Sequence, residues 1–418
     1  MTEQRWLRIL SVSFVMYTIS FIDRTNVSMA LPAMSAELHM DPRQAGDAVG
    51  IFFWGYLLLQ MPAAHLAQHW SAKRVVAILL VAWGICSVAT GLVQSATQFW
   101  IMRLALGLAE GGVYPAVLVL VAHWFPRPER ARANAYWMLC LPLSVVISSP
   151  LSGWLLTHWN WRVLLIVEGV LPFLWLLVWV MSIDDAPSQA KWISAEERQY
   201  LEKTLAAEAV DANPQERVSY MAALLSPQVL VLTAIYFIRN FGSYGSLFWL
   251  PTALTNARKL SDLTLGNVIT IPYVLAAILM VVTAKSSDKT GERRAHMSLT
   301  LIVSGASFLG ALVTQRFPFL SFSLISLAVA AVYASLGPFW ALPTETLPRK
   351  VVATAMGLIN AIGNLGGYFG PVVVGHFLKQ SGGFVYGFGS LGIALVIAAG
   401  MSFMLRPAKP AVAATVTS

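Results

Sequence analysis

Charge is what this 418-residue chain has least of: Asp, Glu, Lys and Arg make up 11% of it, against 57% hydrophobic residues. Soluble domains carry roughly 25% charged residues, so a water-facing surface over the whole chain is excluded. Cysteine is nearly absent. Cys86 and Cys140 both fall inside apolar stretches, which argues against a structural disulfide, and neither has neighbours for a metal site. No Gly-Lys-Ser/Thr phosphate loop occurs, so ATP is not the energy source. No His-Glu-x-x-His or Gly-x-Ser-x-Gly pattern occurs either. An enzyme is not indicated, and no cofactor or metal is expected. The period-two alternation of an outer-membrane barrel is also missing.

What the chain has instead is a series of long apolar runs. A bilayer core needs about 20 mostly apolar residues per helix. Such runs lie near 8–32, 46–68, 74–94, 97–122, 132–156 and 161–183, and again near 228–252, 263–286, 294–315, 317–341, 350–377 and 383–405. The expected fold is an all-α membrane protein with twelve transmembrane helices. The first run follows a short basic start, Arg5 and Arg8, but contains Asp23 and Arg24 and lacks a small-residue cleavage site. It reads as a retained helix rather than a signal peptide.

The net charge of +8 is explained by its placement. With the N-terminus in the cytoplasm, inside segments hold 19 of the 28 Lys and Arg and outside segments hold six. This bias places both termini inside a bacterial inner membrane and removes nucleic acid as a partner. The remaining three, Arg24, Arg103 and Arg239, lie within spans.

The one long polar stretch, 184–227, divides two hydrophobic blocks of nearly equal length. The expected organisation is a six-helix bundle at 1–183, a cytoplasmic linker at 184–227, and a second bundle with a short tail at 228–418, related by pseudo-two-fold symmetry. Within the linker, Ser194-Ala195-Glu196-Glu197 has the form of a capping box opening an amphipathic surface helix to about Glu208.

The stretch Ser287-Asp288-Lys289-Thr290-Gly291-Glu292-Arg293-Arg294 after span 8 resembles the cytoplasmic loop signature of the major facilitator superfamily. Phe21-Ile22-Asp23-Arg24, Arg103 through Glu110-Gly111, Trp124-Phe125-Pro126, Phe248-Trp249-Leu250-Pro251, Gly337-Pro338-Phe339-Trp340 and Gly363-Asn364-Leu365-Gly366-Gly367 agree with it in order and spacing. More narrowly, the chain resembles the anion:cation symporter family, among them tartrate, hydroxyphenylacetate and sugar-acid permeases. That resemblance covers essentially the whole chain. It implies proton-driven uptake of a carboxylate, with the span-1 arginine holding substrate and the span-1 aspartate and span-4 glutamate carrying protons. One departure stands out. After span 2, Gln68 replaces the expected acid, with Lys73 and Arg74 following. In the family this loop and its partner, here Asp288, Arg293 and Arg294, latch the halves, so the latch is expected to be weakened on this side.

The buried charges lead to the same place without the family. Each costs roughly 2.5–3.5 kcal/mol at a helix centre if it faces lipid. Asp23, Arg24, Arg103, Glu110 and Arg239 are therefore expected to face a wet cavity or one another. Arg103 and Glu110 are seven apart, on one face, with Gly107 between them and Tyr114 beyond. Asp23 and Arg24 are adjacent and point about 100° apart. Arg24 is expected to receive the substrate carboxylate, since a guanidinium matches it in bidentate fashion. Asp23 and Glu110 are expected to exchange protons, with Arg103 biasing Glu110 toward ionisation. The competing reading makes these charges structural pairs within the bundle.

Arg239, beside Tyr236, Asn240 and Tyr244, suits a second carboxylate, a phenolate or a hydroxyl-rich tail, or else pairs within its own bundle. Asn360 and Asn364 share a face and either bind ligand or bond between helices. Tyr56 and Trp340 either touch substrate or pack, and Glu168 reads as a packing or capping residue. The function expected is proton-coupled import of a small organic carboxylate by a monomeric rocker-switch carrier. A proton-driven efflux antiporter is the alternative.

Overall fold

Among the residues described by the computed structural model (4–210, 224–258, 260–347 and 349–405) every regular element is a helix. The middle of the expected linker and the expected C-terminal tail lie outside the described residues. The main helices are α1 (Ser11–Glu37), α2 (Pro42–Gly50), α3 (Phe52–Leu66), α4 (Ala72–Thr90), α5 (Ala96–Gly111), α6 (Val113–Trp124), α7 (Arg127–Met138), α8 (Cys140–His158), α9 (Trp161–Ser182) and α10 (Ala195–Val210). They continue as α11 (Pro227–Arg258), α12 (Asp262–Thr290), α13 (Arg293–Val313), α14 (Pro318–Ala334), α15 (Leu336–Thr346), α16 (Arg349–Asn364), α17 (Gly366–Ser381) and α18 (Val385–Met401). Helices satisfy their own backbone polar groups, which lipid cannot do, so an apolar chain of this length folds this way.

Ten stretches are long and apolar enough to cross a membrane. One of them, Pro42–Thr90, is 49 residues long and holds two of the expected spans. The seventh expected span is α11, which is not among the ten: Arg239, Asn240, Ser243 and Ser246 make its centre polar. The twelve-helix fold read from the sequence is therefore recovered.

Three expected spans are broken in the middle by a common cause. The helices α5, α7 and α14 end at Gly111, Met138 and Ala334, each four residues before a proline, Pro115, Pro142 or Pro338. A proline has no N–H to return to the carbonyl four residues earlier, and its ring crowds that carbonyl.

The chain packs as two compact units. Unit 1 comprises Met1–Arg217, Leu247–Ile271 and Pro371–Phe384; unit 2 comprises Val218–Ser246, Pro272–Gly370 and Val385–Ser418. Three helices, α11, α12 and α17, contribute to both. In unit 1, α1 packs on α8 and α9, α4 packs on α9 and α5, and α3 crosses α5. That crossing is backbone to backbone. A Cβ on Gly107 would sit 2.0 Å from the Phe52 carbonyl oxygen, and one on Gly55 would sit 2.2 Å from that of Leu104. The small residue between Arg103 and Glu110 thus admits a neighbouring helix. In unit 2, α13 packs on α14 and α18.

Polar residues close the helix ends. The Asp41 side chain accepts the Gln44 N–H at 2.9 Å while Gln44 accepts the Asp41 N–H at 3.0 Å, with Pro42 in the first turn of α2. Asp41 also accepts Lys379 Nζ at 2.9 Å. The Gln44 backbone bond, then Lys379, hold the Asp41 carboxyl below the usual carboxylate range.

The capping box expected at the start of α10 is only half made. Ser194 Oγ accepts the Glu197 N–H at 3.2 Å, but the Glu197 carboxylate is buried and turned away. It accepts Arg5 Nη1 at 2.5 Å, and Arg5 reaches Glu129 at 2.9 Å through its other terminal nitrogen. A buried guanidinium is a stronger partner for a carboxylate than one backbone N–H, so the ion pair wins. The expected surface helix is in this way pinned to the N-terminal segment and to α7.

Candidate functional site

Asp23 and Arg24 leave α1 in different directions, as their adjacency requires. Asp23 turns toward α4, where Trp83 Nε1 and Ser87 Oγ donate to its two oxygens, the latter at 2.7 Å. Asn26, one turn along α1, donates to Asp23 at 3.4 Å. Arg24 turns toward α3 and α5. Its Nη2 donates to Glu110 Oε2 at 3.1 Å, and Ser20 Oγ donates to the same oxygen at 3.1 Å. The guanidinium carbon lies 4.7 Å from the Tyr56 ring centre, 5.0 Å from Phe52 and 5.4 Å from Phe21. Arg24 and Glu110 are 2% and 0% exposed, so this is a fully buried ion pair held against aromatic faces. Glu110 Oε1 has no hydrogen-bond partner among the described residues.

Arg103 shares the face of Glu110 but makes no ion pair with it among the described residues. Its Nη2 meets the Val49 carbonyl at 3.5 Å, and its guanidinium lies 4.9 Å from the Phe52 ring centre. Arg24, rather than Arg103, is bonded to Glu110. Tyr114 lies past the helix break, stacked on Trp137 at 5.3 Å.

Unit 2 holds its own polar cluster. Arg239, 4% exposed, donates to Asn240 Oδ1 at 2.7 Å and to the Val332 carbonyl at 3.3 Å, and leaves Nη2 without a partner among the described residues. Its guanidinium is within electrostatic reach of Tyr236, Tyr333 and Tyr244. Asn240 donates to the Gly363 carbonyl at 3.1 Å and to Asn364 Oδ1 at 3.4 Å, and Asn364 donates to Asn360 Oδ1 at 3.1 Å. Asn360 and Asn364 are thus joined to Arg239 through Asn240. Trp340 packs edge-on to Tyr236 at 4.9 Å.

The two loops expected to latch are built differently. In unit 2, Arg293 bridges Asp288 and Glu345, the latter at 2.9 Å, and also donates to Ser287 at 3.2 Å. Arg294 donates to the Leu405 carbonyl at 2.9 Å. In unit 1, where Gln68 stands in place of the expected acid, two acids from another part of the chain meet the loop. Asp185, after α9, accepts Ser71 Oγ at 2.5 Å and the Lys73 N–H at 2.9 Å, while Asp184 lies 3.6 Å from Lys73 Nζ. The Arg74 guanidinium lies 5.6 Å from the Trp70 ring centre.

Several participants escaped the sequence reading. Trp83, Ser87 and Ser20 are single polar atoms in apolar helices, and only the fold shows which acid they meet. Asn240 was legible as a polar residue in a span, but not as the hub of its cluster. Asp184 and Asp185 sit far from Gln68 in sequence and carry no local signal.

Apolar helices that bury arginines and carboxylates at mid-span, in clusters rather than toward lipid, define a multi-pass membrane carrier. The chain belongs to the major facilitator superfamily, whose family model matches residues 13–261 and 232–418. It is a transporter, not an enzyme. It is 31% identical to an Agrobacterium vitis protein called "Putative tartrate transporter", over 98% of this chain and 92% of that one. It is 28% identical to the "Quinolone resistance transporter" of Acinetobacter baumannii, over 93% and 91%. Among solved structures, a D-xylose–proton symporter superposes with a TM-score of 0.77 at 15% identity, over 96% of this chain and 98% of that one, a likeness of fold.

Proposed function

We propose that the chain is a proton-coupled symporter that imports a small organic carboxylate, tartrate-like, sugar-acid or aromatic, across the bacterial inner membrane. It works by rocker-switch alternating access, with both termini cytoplasmic. The observation that carries this reading is the buried Arg24–Glu110 pair, in which one arginine bond and one serine bond fall on the same carboxylate oxygen. A substrate carboxylate and Glu110 compete for Arg24. Protonation of Glu110 removes the competitor and leaves a cationic guanidinium, backed by Tyr56, to receive the anion. Breaking a buried pair without replacement strands a charge, at about 3–5 kcal/mol. Proton and substrate are therefore favoured together, and neither alone.

Asp23 serves as a further proton carrier, and Arg103 holds positive potential at the site. Arg239 takes an anionic group of its own, the second carboxylate of a dicarboxylate, with Tyr244, Trp340, Asn360 and Asn364 shaping the surroundings. Asp288, Arg293 and Arg294 in one loop, and Gln68, Lys73 and Arg74 in the other, act as the conformational latch, with Asp184 and Asp185 supplying the acid that Gln68 lacks. The tartrate name of the Agrobacterium vitis relative supports the substrate class.

The quinolone resistance name of the Acinetobacter baumannii relative supports a second reading, proton-driven efflux. Proteoliposome uptake of labelled tartrate, galactarate and an aromatic acid under an imposed pH gradient separates them. Import predicts accumulation when the outside is acid and collapse with a protonophore. Accumulation only when the inside is acid supports efflux.

A further inference from the structure

A third buried carboxylate in unit 1 has no part in the scheme above. Glu168 of α9 is fully buried, accepts Ser152 Oγ of α8 at 2.9 Å through Oε1, and leaves Oε2 buried without a partner. The Asn26 side chain donates to Asp23 at 3.4 Å and lies within reach of Glu168, so a single amide stands between the two acids. Helix α9 packs against α1, α4 and α8. From α1 the facing charges are Asp23 and, turned the other way toward Glu110, Arg24. The α4 residues Trp83 and Ser87 are spent on Asp23, and α8 offers Ser152. No Lys or Arg makes an ion pair with Asp23 or Glu168 among the described residues. Asp23 lies within electrostatic reach of both Glu110 and Glu168.

We propose that Glu168 is a third proton-binding site of this carrier, paired with Asp23 across Asn26 and loaded at Oε2. Asp23 takes three donors, from Trp83, Ser87 and Asn26, and is the better solvated anion. Glu168 has Ser152 on one oxygen and no hydrogen-bond partner for the other among the described residues, so the proton resides there while Asp23 is charged. Two adjacent carboxylates without a cation do not both ionise. While buried, the pair therefore holds one proton on Glu168 with Asp23 charged and two when Asp23 is loaded; the Glu168 proton leaves when transport opens the site to water, and the pair titrates as a unit. A helix that packs only for structure gains nothing from a bare carboxylate oxygen; a glutamine or methionine fills the same space.

The proposal rests on proton-coupled transport, and its test separates the two. Parent and Glu168→Gln proteins are reconstituted, the membrane potential is clamped at zero, and tartrate accumulation is measured against the imposed pH gradient. Each coupled proton contributes about tenfold accumulation per pH unit. If the parent ignores the gradient, coupling itself fails. If the parent responds, Glu168→Gln is expected to show one coupled proton fewer while still catalysing counterflow exchange. An unchanged slope, or loss of exchange in folded protein, overturns the proposal. Should Glu168→Gln not fold, Glu168→Asp keeps the acid. It is expected to preserve the slope but shift the pH midpoint of uptake, and an unshifted midpoint overturns the proposal.

Discussion

Two buried arginines, Arg24 of unit 1 and Arg239 of unit 2, are met in opposite ways. In unit 1, Arg24 is matched by Glu110, and two more buried acids, Asp23 and Glu168, stand nearby. In unit 2 no Asp or Glu is buried among the described residues, and Arg239 is met by an amide, a carbonyl and the Tyr333 ring. A guanidinium beside a carboxylate can be switched, because protonating the acid changes its charge environment. A guanidinium among neutral partners keeps its positive charge, and only an incoming anion completes it. Under the proposed function, Arg24 with Glu110 is the part that answers to protons, and Arg239 contributes a standing preference for negative charge.

The comparison breaks most visibly at Arg24. Replacing it by alanine strands Glu110 and removes the receiving cation, a loss of at least about 2 kcal/mol or about thirtyfold in substrate affinity. Uptake and counterflow exchange are expected to fail together in reconstituted protein. Arg239→Ala tests the other unit. Losing charge-assisted hydrogen bonds there costs about 1.5–3 kcal/mol. Dicarboxylate affinity is expected to fall about tenfold to a hundredfold, with monocarboxylates unchanged, in a thermal-shift titration series.

Stability effects follow. Arg5→Ala leaves Glu197 buried without its cation, and a drop on the order of 3 kcal/mol is expected in detergent unfolding, with transport specificity intact. Lys379→Ala is the smallest change. Its partner Asp41 is partly exposed, so the pair contributes about 0–1 kcal/mol at neutral pH. The Asp41 carboxyl lies below its ordinary value in the folded protein, so its contribution is complete above that ordinary range. It is lost as pH falls through the folded value. Parent and variant unfolding curves are expected to differ slightly at neutral pH and to coincide at strongly acid pH.

The sequence revealed the spans because lipid imposes one rule on every stretch of backbone, and that rule is readable in any window of about 20 residues. It showed that Asp23 and Arg24 must diverge, since helix geometry alone sets that angle. It did not show that Arg24 rather than Arg103 bonds Glu110. That depends on the α3–α5 crossing at Gly55 and Gly107, which also brings Phe52 and Tyr56 beneath the guanidinium. The breaks before Pro115, Pro142 and Pro338 were not legible from proline alone, since Pro150, Pro172 and Pro272 stand inside unbroken helices. Glu168 read as a packing residue because its partners, Asn26 and Ser152, come from two other helices and carry no acid signature of their own.

The central claim is that substrate takes the place of Glu110 on Arg24 and that Glu110 is protonated in the bound state. Isothermal titration calorimetry of tartrate into the purified protein, in buffers of different ionisation heat at neutral pH, counts the protons that move on binding. The account predicts proton uptake by the parent and one proton less by Glu110→Gln. Binding that takes up no proton in the parent, or takes up as many in Glu110→Gln, would contradict it.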